Sequence, residues 1–162
     1  MGAWDWPSAP ALASARVGWC RTQLGRNPAL AGLKHLNRLE QVLARAEWDD
    51  GAMDEGLQCD DRGHVISATQ ANLLAKIGDR WVTPRLDQCG VAGVMRRAFG
   101  AWQAEQGSPV AEQDLSRADV ESATALVLTN AVAGAWPVRE LAGKEVAIDP
   151  DSEAFNAWLA RA

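Results

Sequence analysis

Lys34 stands in the stretch AGLKHLNRLEQVLARAE, residues 31 to 47, immediately before a segment with helical periodicity. Lysine is ordinarily a solvated surface residue. Near a helix N-terminus, however, the positive end of the macrodipole disfavours the ammonium form, and partial burial between Leu33 and Leu36 would push the same way. Only a neutral amine attacks a carbonyl, so the chemistry within reach is Schiff-base formation. In CGVAGV, residues 89 to 94, Gly90 and Gly93 straddle a turn into a helix. The backbone amides around Val91 and Ala92 could there point at an anion such as a phosphate, although glycine at an ordinary loop-to-helix junction reads the same way. In LTNAVAGAWPV, residues 128 to 138, Thr129 and Asn130 close an apolar strand; binding groups collect at such ends, and a simple Asn turn accounts for them equally. His35 and His64 are isolated from each other and from a Ser or Cys partner, which leaves them surface or packing roles and gives no catalytic triad.

These residues need a scaffold, and the composition supports one. A chain of 162 residues suffices for one domain with a continuous core, and 48% hydrophobic with 23% charged residues matches a globular protein. The net charge of -5, with scattered Lys and Arg, offers no footprint for nucleic acid. The start of the chain lacks the basic and continuous apolar regions of a signal peptide, and no apolar stretch is long enough to span a bilayer, so a cytoplasmic setting without membrane contact is expected. Cys20, Cys59 and Cys89 show no CxxC spacing, which indicates neither a disulfide framework nor a metal site; they read as reduced packing residues.

Residues 1–13, rich in Ala, Pro and Trp, read as a linker or truncated end, and residues 14–162 as the domain. ARVGWCRTQL predicts a strand closed by the turn GRNP. Asn37 and Glu40 form a capping-box variant, so the pattern predicts a helix starting just after Lys34, with Leu39, Leu43 and Ala46 on one apolar face. Residues 55 to 83 read as a meander of the segments EGLQCD, HVISAT, ANLLAKI and RWVTP. A helix with Val91, Val94, Met95 and Ala98 on its apolar positions, ended by Gly107, follows. The remainder predicts a strand at PVAEQ, a short helix at LSRADVES, strands at TALVLTN and WPVREL, and a C-terminal helix from Asp151. This order gives an α/β domain with a substantially β core.

Taken together, GLKHLNRLEQVLARAE, DDRGHVISATQANLL, TPRLDQCGVAGVMR and LTNAVAGAWPVREL resemble the successive motifs of class IV aminotransferase-like enzymes, the fold-type-IV pyridoxal-phosphate group, and within it the aminodeoxychorismate lyases. The resemblance runs from about residue 16 to the C-terminus. It implies a mixed, β-rich, barrel-like domain flanked by helices, as in the large C-terminal domain of that group. It also implies pyridoxal 5'-phosphate as cofactor, with Lys34 as the Schiff-base and proton-shuttling residue. The amides of Val91 and Ala92 would bind the phosphate, with Asn130 near the same end. Asn37 and Arg38 would orient substrate carboxylates, a helix-cap Asn and a solvated Arg being the other reading. The implied reaction eliminates pyruvate from 4-amino-4-deoxychorismate to give 4-aminobenzoate for folate biosynthesis, in a homodimer.

Two departures accompany the resemblance. Where the family has an acidic residue facing the pyridine nitrogen, alignment on Asn72 puts Ser67. A neutral partner makes the cofactor a weaker electron sink, which aromatisation of the substrate ring can offset and transamination cannot. The family also has a smaller N-terminal domain, supplying an arginine for the phosphate, and this sequence is expected to lack it unless a complementing chain provides it. Two other readings stay open: a class IV aminotransferase acting on amino acids, and a non-catalytic degenerate scaffold.

Overall fold

In a computed structural model, which describes residues 14–49 and 51–161, the elements follow in the order β1 (Ala15–Trp19), α1 (Leu39–Arg45), β2 (Glu55–Cys59), β3 (Val65–Ala68), β4 (Asn72–Ile77), β5 (Arg80–Pro84), α2 (Val94–Glu105), β6 (Ala111–Gln113), α3 (Arg117–Glu121), β7 (Ala125–Asn130), β8 (Gly134–Leu141), β9 (Lys144–Glu145) and α4 (Asp151–Leu159). The segment 1–13, expected as a linker, lies outside the described residues. Among the described residues, no helix is long and apolar enough to cross a membrane.

The strands form one sheet in the order β3-β2-β1-β8-β7-β4-β5-β6, with β9 added beside β8. Its shape follows from one short connection. β3 and β4 lie five strand spacings apart in that order, which would be about 24 Å in a flat sheet. Residues 69–71 alone join them, and the four Cα steps from Ala68 to Asn72 reach at most about 14 Å. The sheet must therefore curl, giving the β-rich, barrel-like mixed α/β architecture expected. Glu55 fixes this crossing. Its buried carboxylate accepts the amides of Gly56 at 3.0 Å and of Thr69 and Gln70 at 3.2 Å, together with the Thr69 hydroxyl. The meander expected over 55 to 83 is accordingly two separate hairpins, β2 with β3 and β4 with β5, because Glu55 turns the chain away from β3 before β4 begins.

Central strands bury both faces. On β4 and β7, Leu73, Ala75, Leu126 and Leu128 enter the main core that includes β1, β2 and β8, whereas Leu74, Ala125 and Val127 face α2 and α4. Alternate residues on a strand point to opposite faces, so residues 125–128 of β7 are apolar in succession because the strand has a core on either side. The second core is aromatic: Phe99 lies 5.5 Å from Trp81, 5.5 Å from Trp102 and 5.1 Å from Phe155, centroid to centroid. Cys20, Cys59 and Cys89 are buried free thiols.

Two expected boundaries move. β1 stops at Trp19 rather than Leu24 because the Glu47 carboxylate accepts the amides of Arg21 and Thr22 and the Thr22 hydroxyl at 2.6 to 2.7 Å, pulling the chain out of the sheet. α1 begins at Leu39 with Arg38 at its N-cap and no capping side chain. The Asn37–Glu40 box does not form, since Glu40 Oε1 accepts the Gly25 amide at 2.9 Å instead. The apolar positions Leu39 and Leu43 face outward, and Ala44 is the buried residue of α1.

α4 is locked onto the sheet by Asp151, whose Oδ2 accepts Trp81 Nε1 at 2.7 Å and Gln103 Nε2 at 2.8 Å. Both donors belong to buried residues. Asp151→Ala leaves them unsatisfied and should destabilise the fold by about 1–3 kcal/mol, read as a lower urea midpoint at unchanged slope.

Candidate active site

Lys34 lies in the irregular segment between Gly32 and α1, exposed, and its side chain makes no hydrogen bond or ion pair among the described residues. The partial burial expected from its neighbours is absent: Leu33 is 55% and Leu36 100% exposed. Ahead of the lysine the loop is fastened at Gly32. Gly32 donates its amide to Gly90 O and accepts the Ala92 amide, both at 3.0 Å, as a one-residue parallel bridge to Val91. Beyond it, residues 33 to 38 pass over the surface to the start of α1.

The bridge joins Lys34 to the glycine turn at residues 89 to 93. There the Ala92 amide is committed to Gly32, which differs from the expected pair of free amides; the Val91 amide has no partner among the described residues. α2 adds further donors, since the first-turn amides of a helix have no intrahelical acceptor, its N-cap Gly93 carries no capping side chain, and its first turn holds no acid. Asn72, at the start of β4, holds this turn by donating Nδ2 to Val91 O at 2.7 Å. The approach is so close that a Cβ on Gly93 would lie 2.1 Å from Asn72 Oδ1. Glycine is required at 93 for space.

Asn72 also registers opposite Thr129 on β7, which brings the end of that strand to the same place. Thr129 Oγ1 is buried without a hydrogen-bond partner. Asn130 occupies itself with its own turn, accepting the amides of Val132 at 2.9 Å and Ala133 at 2.8 Å; of the two readings of this residue, the Asn turn is the one formed. Curling of the sheet brings in β3. Ile66 packs with Leu24, Leu86 and Cys89 and so lies against the turn; its neighbour Ser67 is 8% exposed. Burial pushes the Cys89 thiol up to about 11, which leaves it protonated and unreactive near neutral pH.

Asn37 and Arg38 go elsewhere. They line a recess of about 240 Å³ with Arg26, Asn27, His35 and Gln41, and Lys34 is not part of its lining. Arg38 Nε donates to His35 O at 3.1 Å, bracing the lysine loop from beneath. Its Nη2, with His35 Nδ1 and Gln41 Oε1, is buried and unpartnered. Arg26 is held by Asp60 at 2.6 Å. Burial works against the Asp60 charge, but hydrogen bonds from the His64 amide and Arg26 hold its carboxyl below the usual range.

Residues 2–141 match the family described as Amino-transferase class IV. The chain belongs to the class IV aminotransferase family. It is 38% identical over 134 residues to an aminodeoxychorismate lyase of Vibrio harveyi, covering 83% of this chain and 49% of that protein. A 4-amino-4-deoxychorismate lyase structure from Pseudomonas aeruginosa is 41% identical with a TM-score of 0.87, over 91% of this chain and 55% of that one. A branched-chain aminotransferase structure from Thermoproteus uzoniensis shares the fold, with a TM-score of 0.83 at 16% identity over 96% of this chain and 54% of that one. The chain thus spans about half the length of these relatives. Class IV enzymes use pyridoxal phosphate, and what the site offers suits it: an unpaired lysine, unbonded amides at a helix start without nearby acid, and an unpartnered buried hydroxyl at Thr129. Asn72 is the site residue that motif reading undervalued; its signal is a polar residue opening the apolar run of β4.

Gly93→Ala should displace Asn72 and release Val91 O, lowering stability by about 1–3 kcal/mol and speeding amide exchange at residues 91 to 95. For Asp60, the depressed carboxyl contributes stability that is complete above the unfolded value of about 4 and is lost as pH falls through the lower folded value. Asp60→Asn should therefore flatten the acid limb of a stability profile measured by urea unfolding from pH 2 to 7.

Proposed function

We propose that this chain is the pyridoxal-phosphate-binding part of an aminodeoxychorismate lyase, releasing pyruvate from 4-amino-4-deoxychorismate and leaving 4-aminobenzoate. The observation that carries the reading is the unpaired Lys34, fastened through Gly32 to a turn whose amides open α2. Identities of 38% and 41% to the two lyases support it. Pyridoxal phosphate, when bound, supplies a carbonyl for the substrate amine and a conjugated ring that takes up electron density as bonds break.

The chain's own residues do the rest. The Val91 amide and the first turn of α2 bind the phosphate, helped by the positive end of the helix. Asn72 and Ala92 hold the turn, Thr129 Oγ adds a donor beside it, and Asn130 shapes the adjoining bend. Lys34 Nζ takes the proton from the substrate ring carbon as the pyruvate unit departs. Asn37 and Arg38 line the separate recess, and Arg38 serves the reaction by bracing the Lys34 loop through His35 O. Ser67 gives the cofactor nitrogen a neutral partner, which suits a reaction driven by aromatisation better than transamination.

The cationic phosphate contact belongs to the part of the relatives that this chain does not match, in a cytoplasmic homodimer or with a complementing chain. The surface next to Lys34 supports such a partner. Leu33, Leu36, Leu39, Val42 and Leu43 are all at least half exposed, and contiguous apolar surface of that kind is ordinarily covered.

Borohydride reduction with pyridoxal phosphate, followed by peptide mapping, should place the label on Lys34. The sequence has only two other lysines: Lys76 is paired with Asp149 at 2.6 Å, and Lys144 lies in β9. A label on either would remove Lys34 from its role. Lys34→Ala should abolish the label and any 4-aminobenzoate formation, and amino transfer to a keto acid without 4-aminobenzoate would sink the lyase assignment.

A further inference from the structure

Ala135 stands at the start of β8, where β1 does not reach, because β1 pairs with β8 only from Val138 onward. Its backbone groups would there form an open sheet edge. Asn156 of α4 closes that edge: Oδ1 accepts the Ala135 amide at 2.8 Å, and Nδ2 donates to Ala135 O at 2.7 Å. One carboxamide thus takes the place of a neighbouring strand. Gly134 admits it, since a Cβ at that position would lie 2.5 Å from Asn156 Oδ1. α4 is a firm support for this clamp, because Phe155 is set in the aromatic core and Asp151 accepts from Trp81 and Gln103.

The clamp closes one end of a row that crosses three strands. Asn72 on β4 registers with Thr129 on β7, and Thr129 with Ala135 on β8. Facing residues share a sheet face, here the face of Leu74, Val127 and the aromatic core. Both polar backbone groups of Ala135 turn to Asn156, so Thr129 and Ala135 make the non-hydrogen-bonded kind of pair, with Cα atoms about 4.5 Å apart and side chains at their closest. The other end of the row is tied to the glycine turn through Asn72 Nδ2 and Val91 O. Between the two ties Thr129, 1% exposed, keeps a hydroxyl without a partner.

We propose that Asn156 is a positioning residue that sets the Thr129 hydroxyl for the cofactor's phosphate. Resting on the assignment of Thr129 as a phosphate donor, the arrangement works at one remove: Asn156 fixes Ala135, and the Ala135 methyl bounds the space in which the Thr129 side chain can turn. A donor held in place before the anion arrives loses little freedom on binding it. The last helix of the chain thereby acts on the phosphate end of the ligand and not on Lys34.

The test compares the binding of pyridoxal phosphate with that of pyridoxal, which lacks the phosphate, to the full chain by absorbance titration. Asn156→Leu should weaken pyridoxal phosphate about three- to tenfold, a part of what one hydrogen bond to a charged group contributes, and leave pyridoxal unchanged. Thr129→Val should weaken pyridoxal phosphate about ten- to hundredfold, and Asn156→Leu should then cost nothing more. Where Asn156→Leu does not fold, judged by its urea transition, Asn156→Ser is measured against the same expectations. Equal weakening of the two ligands, a further loss in the Thr129→Val background, or unchanged binding of pyridoxal phosphate overturns the proposal and leaves the lyase reading standing. Failure to trap pyridoxal phosphate on Lys34 of the parent chain overturns both.

Discussion

Glu55 gathers the backbone of the β3–β4 crossing onto one buried carboxylate, accepting from Gly56, Thr69 and Gln70. A charge taken out of water is tolerable only when its lone pairs are filled, and here the turn fills them. The crossing is thereby pinned tight, and a tight crossing between strands distant in the sheet order leaves the sheet no option but to curl. Curling sets Ile66 against the glycine turn, and Asn72, next after the crossing, reaches Val91. The geometry around Lys34 is a consequence of how one carboxylate is satisfied.

The site is assembled with very different degrees of rigidity. Thr129 and Asn72 stand on strands whose neighbours are buried on both faces, and close-packed interiors fix side chains to a few rotamers. Lys34 has no such support. Its loop is tied by Gly32 and braced by Arg38, and its leucines face solvent. The strand-borne groups are held by packing on both faces, whereas the lysine loop is held by those contacts alone.

Much of this was legible in the residues. Alternating apolar positions and turn signals gave the strands from β2 to β5, the helix α2 and the close of the chain at α4, and four motifs in order pointed to the family. The misreadings share a cause. The capping box at Asn37, the long first strand and the single meander were all inferred locally, and each was overridden by a carboxylate reaching across the fold: Glu40 to Gly25, Glu47 to Thr22, Glu55 to Thr69. Acidic side chains advertise local capping in sequence, yet these three serve distant amides. Lys34 was misjudged in the same way, because Leu33 and Leu36 suggest burial only if something packs upon them.

Among the described residues Gly32 joins the lysine loop to the glycine turn, giving one hydrogen bond and taking another. A joint of that kind transmits displacement in both directions. An anion drawing the turn toward itself draws Lys34 along with it, so the grip on one end of a ligand and the reach of the amine toward its other end form a single mechanical coordinate. Selection acting on affinity at this turn also sets where the lysine stands, and neither property can drift far without carrying the other.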